Sequence, residues 1–130
     1  RLLREGRDVT VLAYGPMVKV ALDAAAASAK DGGASLEVID LRTLSPLDME
    51  TVLTSVERTG RVVVVSEAPS NCSIAAELAA RITEKAFYSL EAPVLRVSGF
   101  DTPYPPSRLE EEYLPDLDRV LDAVDRSLAY

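Results

Sequence analysis

Four consecutive valines at positions 62–65 constrain the fold of this chain more than any other feature. A β-branched run without polar alternation is typical of a strand buried on both faces, as in the centre of a parallel sheet. Complete burial of four such side chains contributes about 6–12 kcal/mol before the entropy cost is counted. A polar segment follows, and then apolar residues return at every fourth position, at Ile74, Leu78 and Ile82. The order strand, turn, helix is half of a βαβ unit, so the run predicts an α/β fold.

The rest of the chain alternates predicted strands with predicted helices. Strands are predicted at residues 2–4, 9–14, 36–41 and 93–97, in addition to the valine strand. Helices are predicted at residues 16–30, 46–59, 74–88 and 117–128, and we expect Ser45 to cap the second of them, with Asp48 three residues later. Strands that alternate with helices of this length imply a mostly parallel sheet with helices on both faces.

Residues 99–114 form the one long stretch without a predicted helix or strand. Three prolines, Pro103, Pro105 and Pro106, oppose helix formation and favour an extended arm. Irregular loops of this length are uncommon in compact domains and are often functional.

Composition excludes several classes of function. The 130 residues include 21 acidic and 14 basic side chains, a net charge of −7, which argues against nucleic acid and anionic membranes and favours a basic partner. There is no histidine, the commonest general base and metal ligand. The single cysteine excludes an internal disulfide and fits a reducing compartment. The chain begins at Arg1 and not at methionine, as expected for a piece of a longer protein.

Candidate ligand-binding residues follow the predicted strands, because ligands of open α/β sheets favour the carboxyl ends of the strands. This edge would carry Tyr14, Gly15, Arg42, Glu67 and Asp101. Glu67 is the most suggestive, since it follows a buried strand and precedes a helix. We nevertheless favour a structural role, with Glu67 accepting hydrogen bonds from backbone amides in the turn and the other charged residues forming salt bridges or caps.

Other chemical motifs are weak. Cys72 lies near a predicted helix N-terminus, where a thiolate would be stabilised, but no histidine can act as its base, so we favour a small filler in a turn. The segment from Gly15 to Met17 lacks the second and third glycines of a dinucleotide fingerprint, and no cluster has the spacing of metal ligands. We therefore predict no catalytic, cofactor-binding or metal-binding residue in this chain.

The last predicted helix carries acidic residues at positions 116, 118, 122 and 125. Such a pattern is most often a solvated face, on which Asp122 and Arg126 form an i,i+4 ion pair. The alternative is a surface for a basic partner.

A family resemblance covers essentially the whole chain. It rests on the segments DVTVLAYG, SLEVIDLRTLSPLDMETVLTSVERTGRVVVVSEAP, SLEAPVLRVSGFDTPYPP and YLPDLDRVLDAVDRSLAY. In this order they resemble the C-terminal domain of the beta subunit of 2-oxo acid dehydrogenase decarboxylases, within the transketolase C-terminal-domain family. The GFDTPYP segment is more similar to the branched-chain than to the pyruvate enzymes.

The resemblance implies a single domain over residues 1–130 that is a fragment of a longer beta subunit. It implies a three-layer α/β/α sandwich around a five-stranded mixed sheet. The short first strand at residues 2–4 would run antiparallel beside the strand at residues 36–41, with the strands at residues 9–14 and 62–66 in the centre.

The resemblance also implies where the chemistry takes place. The parent enzyme would oxidatively decarboxylate 2-oxo acids and transfer the acyl group to lipoyl. Thiamine diphosphate and Mg²⁺ would bind elsewhere, between the alpha subunit and the N-terminal domain of the beta subunit, so this domain would hold no cofactor. The enzyme would work in a bacterial cytoplasm, or in the mitochondrial matrix if the source is eukaryotic.

The implied role of the domain is assembly. It would contribute to an alpha2-beta2 heterotetramer with the alpha subunit and a second beta subunit, and dock the small basic subunit-binding domain of the acyltransferase. The matching partner-binding candidates are Glu91 and the carboxylate of Tyr130; for Glu91 the alternative is a solvated loop glutamate. One departure is the turn from Ser70 to Ser73, where relatives usually carry glycines, so this turn is expected to be stiffer.

Three alternatives remain open at this point. The first is the C-terminal domain of a pyruvate dehydrogenase beta subunit. The second is a regulatory α/β domain that binds a small molecule in the crevice near Gly15 and Glu67. The third is the corresponding domain of a transketolase or a deoxyxylulose-phosphate synthase, against which the proline-rich arm and the YLPD helix start argue.

Overall fold

The computed structural model describes residues 1–130 and contains five strands and five α-helices. The strands are β1 (Leu2–Arg4), β2 (Val9–Ala13), β3 (Leu36–Asp40), β4 (Val62–Pro69) and β5 (Leu95–Gly99). The helices are α1 (Met17–Lys30), α2 (Met49–Thr59), α3 (Ile74–Ala86), α4 (Glu110–Tyr113) and α5 (Leu117–Leu128). Single 3₁₀ turns occupy Phe87–Ser89 and Ser107–Leu109.

The strands form one mixed sheet in the order β1-β3-β2-β4-β5. β1 pairs antiparallel with β3, and the other three pairings are parallel. Val11 of β2 lies opposite Val38 of β3 and Val63 of β4, so these three valines form one row across the middle of the sheet. Helices cover both faces, which confirms the predicted three-layer sandwich with an antiparallel first strand.

The sheet separates two apolar cores, because alternate residues of a strand point to opposite faces. The core on one face contains Val63 and Val65 of β4, and the core on the other face contains Val62 and Val64. All four valines are fully buried, as the run predicts. The first core is completed mainly by α1 and α5, and the second by α2 and α3, through Ala21, Ala24, Val120, Val124, Val52, Val56, Leu78 and Ile82.

A buried hydroxyl cluster fixes α2 on the sheet. The hydroxyl group of Thr10 in β2 lies 2.6 Å from that of Ser55 and 2.7 Å from that of Thr59, both in α2. Because buried polar groups are costly without partners, the cluster favours one position of the helix along the strand.

A buried carboxylate lies on β3. Glu37 is fully buried, accepts a hydrogen bond from the backbone N–H of Gly6 at 3.3 Å, and forms an ion pair with Arg58 of α2. The sequence pattern did not indicate this burial, because a glutamate within a strand is normally solvent-exposed. The pair ties α2 to β3, the strand between β1 and β2.

The cap of α2 differs from the prediction. Asp48, and not Ser45, is the N-cap: its carboxylate accepts hydrogen bonds from the backbone N–H of Thr51 at 3.1 Å and from the Thr51 hydroxyl at 2.6 Å. These bonds, with the hydroxyl bond the stronger cause, lower the pKa of Asp48. The Ser45-Pro46 peptide bond is cis, and an isolated bridge joins Leu44 to Leu47, so this segment is a turn that precedes the helix.

Three other elements have boundaries at least two residues from those predicted. β4 extends to Pro69, so Glu67 lies within the strand and not in the turn that follows it. β5 begins at Leu95, two residues later than predicted, and ends at Gly99. α3 ends at Ala86, and the last predicted helical residues form a 3₁₀ turn.

The arm at residues 99–114 is only partly extended, which corrects the prediction. After its prolines it forms a 3₁₀ turn and then α4. The ring of Tyr113 in α4 is buried and packs edge-on against Tyr104 at 5.1 Å and Phe100 at 6.2 Å between ring centroids. The phenol of Tyr104 donates a hydrogen bond to Glu110, which raises the pKa of Tyr104 to about 12. Aromatic packing across the arm thus gives it a defined shape that the prolines do not predict.

We expect Arg58→Ala to destabilise the fold, because it leaves the buried carboxylate of Glu37 without its ion pair. The expected loss is about 2–3 kcal/mol, below the usual range for a broken buried pair because Arg58 is half exposed. Adding Glu37→Gln should restore part of this loss by removing the buried charge. Denaturant unfolding measures both effects. The control is Arg81→Ala, which breaks an exposed ion pair on α3. If Arg58→Ala and Arg81→Ala lowered the free energy of unfolding equally, the stabilising role of the Glu37–Arg58 pair would be contradicted.

Candidate functional site

The polar residues at the carboxyl edge of the sheet are mostly engaged in local contacts. The hydroxyl of Tyr14 lies 2.9 Å from that of Ser66. Arg42 pairs through Nε with Asp40 at 2.9 Å, so its predicted salt bridge is present. The ion pair supports the structural interpretation of Arg42.

Asp101 holds the turn that precedes α3. Its carboxylate accepts hydrogen bonds from the hydroxyl of Ser70 at 2.7 Å and from the backbone N–H of Asn71 at 3.1 Å. These bonds, with that of Ser70 the stronger, lower the pKa of Asp101. Arg96 adds a bond to the Ser70 carbonyl at 2.8 Å. Asp101 therefore has a structural role in this turn, although the N-cap of α3 is Ser73.

The side chain of Glu67 makes no hydrogen bond or ion pair, so the expected bonds to backbone amides are absent. A cavity of about 580 Å³ near Gly15 is lined by Asp40 and Arg42 but not by Glu67. The small-molecule hypothesis requires Gly15 and Glu67 to line one pocket, and in the structure they do not.

Cys72 is exposed and lies directly before Ser73, the N-cap of α3. Its φ of 52° places it in the left-handed region, so it occupies a tight turn. The hydroxyl of Ser73 accepts the hydrogen bond from the backbone N–H of Ala76 at 3.3 Å. The geometry of this turn agrees with the interpretation of Cys72 as a turn residue.

The acidic residues of the last helix have two roles. Asp116 is the N-cap of α5 and accepts a hydrogen bond from the backbone N–H of Arg119 at 2.9 Å. Asp122 and Arg126 form the predicted i,i+4 pair, at 3.5 Å. Most of this face is therefore a capped, solvated helix surface.

A groove of about 690 Å³ lies at the opposite, amino edge of β4 and β5. Both predicted partner-binding residues, Glu91 and Tyr130, line it. Seven of its ten lining residues are hydrophobic, so a mostly apolar surface surrounds the Glu91 carboxylate. We name this feature the amino-edge groove.

The backbone of Glu91 is fixed at the end of α2. Gly60, the C-cap of α2, has a φ of 68°, and its carbonyl accepts the backbone N–H of Glu91 at 2.8 Å. A Cβ at position 60 would lie 3.0 Å from the Glu91 Cγ and 3.1 Å from the Ser89 carbonyl oxygen. A glycine is therefore required both for the left-handed turn and for the close approach of the Glu91 loop.

The side chain of Glu91 is paired with Arg61, the residue that precedes β4. The Glu91 side chain remains 61% exposed, whereas that of Arg61 is only 19% exposed. Arg61 also donates through Nε to the Ser127 carbonyl at 3.1 Å, near the end of α5. Glu91 is therefore an accessible carboxylate with an internal counter-ion, and not simply the solvated loop glutamate of the alternative interpretation.

Exposed aromatic rings border the groove. Phe87 and Tyr88 stand edge to face on the 3₁₀ turn after α3, with 5.4 Å between ring centroids. Tyr88 is 99% exposed and Tyr130 is 74% exposed. Exposed aromatic side chains beside a charge are typical of protein–protein interfaces. Sequence reasoning missed Arg61, Phe87 and Tyr88; the only signal was an aromatic pair at the end of a predicted helix.

The structure has no group of three or more His, Cys, Asp or Glu residues arranged to hold a metal ion. No helix has the length and apolar character needed to cross a membrane.

The chain is similar to beta subunits of two related enzymes. The chain is 60% identical over 130 residues to the protein named pyruvate dehydrogenase E1 component subunit beta of Leifsonia xyli, covering all of this chain and 38% of the relative. It is 56% identical over 125 residues to 3-methyl-2-oxobutanoate dehydrogenase subunit beta of Mycobacterium tuberculosis, covering 96% of this chain and 36% of the relative. The chain thus spans little more than a third of the length of these relatives.

A solved structure has the same fold. It is described as a split gene transketolase, inactive beta4 tetramer, and superimposes with a TM-score of 0.85 at 31% identity, over 99% of this chain and 41% of that one. The family model described as transketolase, C-terminal domain, matches residues 1–120. Because this match spans most of the chain, the chain belongs to the transketolase C-terminal domain family.

Proposed function

We propose that this chain is the C-terminal, partner-docking domain of a beta subunit of a 2-oxo acid dehydrogenase. The relatives named as beta subunits support this, since each is more than half identical to the chain over the matched residues, which make up 36–38% of the relative's length. The observation that carries the docking role is the amino-edge groove, in which an exposed carboxylate lies among exposed aromatic rings.

The partner that fits this groove is the basic subunit-binding domain of the acyltransferase. A net charge of −7 attracts a basic surface over a distance of about one Debye length, and Glu91 offers it a specific contact. The apolar lining near Phe87 and Tyr88 supplies surface that a partner can bury. Tyr130, the other proposed partner-binding residue, lines the same groove.

Assembly of the alpha2-beta2 heterotetramer would use a different surface. The arm exposes the side chains of Phe100, Tyr104 and Leu109, although its core around Tyr113 is packed. Contact with the alpha subunit or a second beta subunit would cover these side chains. The solved structure of the related transketolase is itself described as a tetramer.

Thiamine diphosphate and Mg²⁺ are proposed to bind the parent enzyme outside this domain. Residues 1–130 do not fit such a site, because they offer neither a carboxylate cluster for a metal nor a glycine-rich phosphate loop. The residues of this chain therefore have no proposed chemical step, and their role is recruitment. We place the parent enzyme in a bacterial cytoplasm, since both similar beta subunits are from bacteria.

The chain alone, supplied with thiamine diphosphate and Mg²⁺, should not decarboxylate any 2-oxo acid, because the proposed cofactor site lies outside it. Release of CO₂ from labelled substrate measures this activity. The assembled parent enzyme is the positive control, and turnover by the pure chain would contradict the proposal.

The parent enzyme should prefer branched-chain 2-oxo acids, on the basis of the GFDTPYP segment. Relatives of both the pyruvate and the branched-chain type are similar to the chain, so their identities do not decide the substrate. Values of kcat/KM for 3-methyl-2-oxobutanoate and for pyruvate, measured on the same preparation, would test this. A higher value for pyruvate would assign the chain to the pyruvate class.

Glu91→Lys should weaken binding of the acyltransferase subunit-binding domain about 10- to 100-fold, equivalent to about 1.4–2.8 kcal/mol, because it places a like charge against a basic partner. Binding by the unaltered beta subunit should also weaken as salt concentration rises. Calorimetric titration measures both effects. The control is Glu77→Lys, an exposed glutamate of α3 in an i,i+4 pair, and an affinity for Glu91→Lys equal to that of the control would exclude Glu91 from the interface.

A further inference from the structure

Arg61 connects two segments that border the amino-edge groove. Its Nη1 donates to Oε2 of Glu91, in the loop before β5. Its Nε donates to the carbonyl of Ser127 at 3.1 Å, in the last turn of α5. The two acceptors lie 30 and 66 residues away in the sequence. This single side chain therefore joins the Glu91 loop to α5, two segments between which there is no backbone hydrogen bond.

The exposure of the two charges is unequal. Arg61 is the sheltered member of the pair, and Glu91 is the member presented to solvent. Oε1 of Glu91 makes no hydrogen bond, so one carboxylate oxygen is held by the protein and the other is free for a partner. A carboxylate has enough lone pairs to accept from two cations at once. A basic partner therefore does not need to displace Arg61 in order to contact Glu91.

We propose that Arg61 is a positioning residue for Glu91, anchored by the Ser127 carbonyl, and that it fixes the carboxylate in the orientation in which a basic partner meets it. This inference rests on the proposed docking function. The planar guanidinium suits this task, because its fork fixes two acceptors in set directions, whereas an ammonium group does not. A fixed carboxylate loses less side-chain freedom when the partner binds.

Competition is the opposite possibility, and it predicts the opposite result. If Arg61 instead occupied the site that the partner's base must take, removing its charge would strengthen binding. The anchor on Ser127 argues against competition, because it holds the guanidinium on the protein side of the carboxylate.

The test uses the beta subunit that contains this chain, assembled with its alpha subunit, and the isolated subunit-binding domain of the acyltransferase as the probe. Arg61→Lys keeps the charge but removes the fork, and it should weaken binding about 3- to 10-fold, mainly through faster dissociation in surface plasmon resonance. Arg81→Lys, in an exposed pair on α3, is the matched control and should leave affinity unchanged.

A double-mutant cycle separates positioning from a general structural effect. In a Glu91→Ala background, Arg61→Lys should change the affinity by less than twofold, because its target is gone. An equal loss in both backgrounds would show that Arg61 acts through the fold alone and would overturn the inference. Affinity of Arg61→Lys equal to the unaltered protein, or tighter binding by Arg61→Gln, would overturn it while leaving the docking function in place. Absence of binding by the unaltered protein would overturn both.

Discussion

Burial of the four valines of β4 on both faces is the interaction on which the rest of the structure depends. Because successive side chains point to opposite faces, one short run supplies the centre of two separate cores. α1 and α5 complete one core, and α2 and α3 complete the other. The position of each helix, and hence of every loop between helix and strand, follows from which core it closes.

The location of the groove follows from this arrangement. Arg61 directly precedes β4, and Glu91 lies in the loop before β5. The C-terminal end of α5 packs close enough for the Ser127 carbonyl to accept a hydrogen bond from Arg61, which also pairs with Glu91. The usual rule for open α/β sheets directs attention to the carboxyl ends of the strands. In this chain most of the polar groups at that edge make local contacts, and the candidate interface lies at the other edge.

Sequence reasoning was most successful where the controlling interaction is local. The valine run, the helical spacing of Ile74, Leu78 and Ile82, and the family segments together predict the sheet and its central strands. The family segments also give Glu91 and Tyr130 as partner-binding candidates, and their role stays a prediction. Sequence reasoning failed where contacts between residues distant in the sequence decide whether a side chain is buried or a segment is ordered. Glu37 is buried because Gly6 and Arg58 reach it from other elements, and Tyr113 orders the arm by packing on rings up to 13 residues away. The cap of α2 was misplaced because Ser45 and Asp48 both have suitable side chains, and only the turn between them selects Asp48.

The amino-edge position of the groove has a spatial consequence. A five-residue parallel strand is about 17 Å long. A partner bound at the amino end of β5 therefore leaves the carboxyl end of the sheet uncovered. Under the proposed docking function, a partner bound at the groove does not reach the carboxyl edge of the sheet. The docked partner and any neighbouring domain of the parent enzyme would then occupy opposite ends of one sheet and would not compete for the same surface.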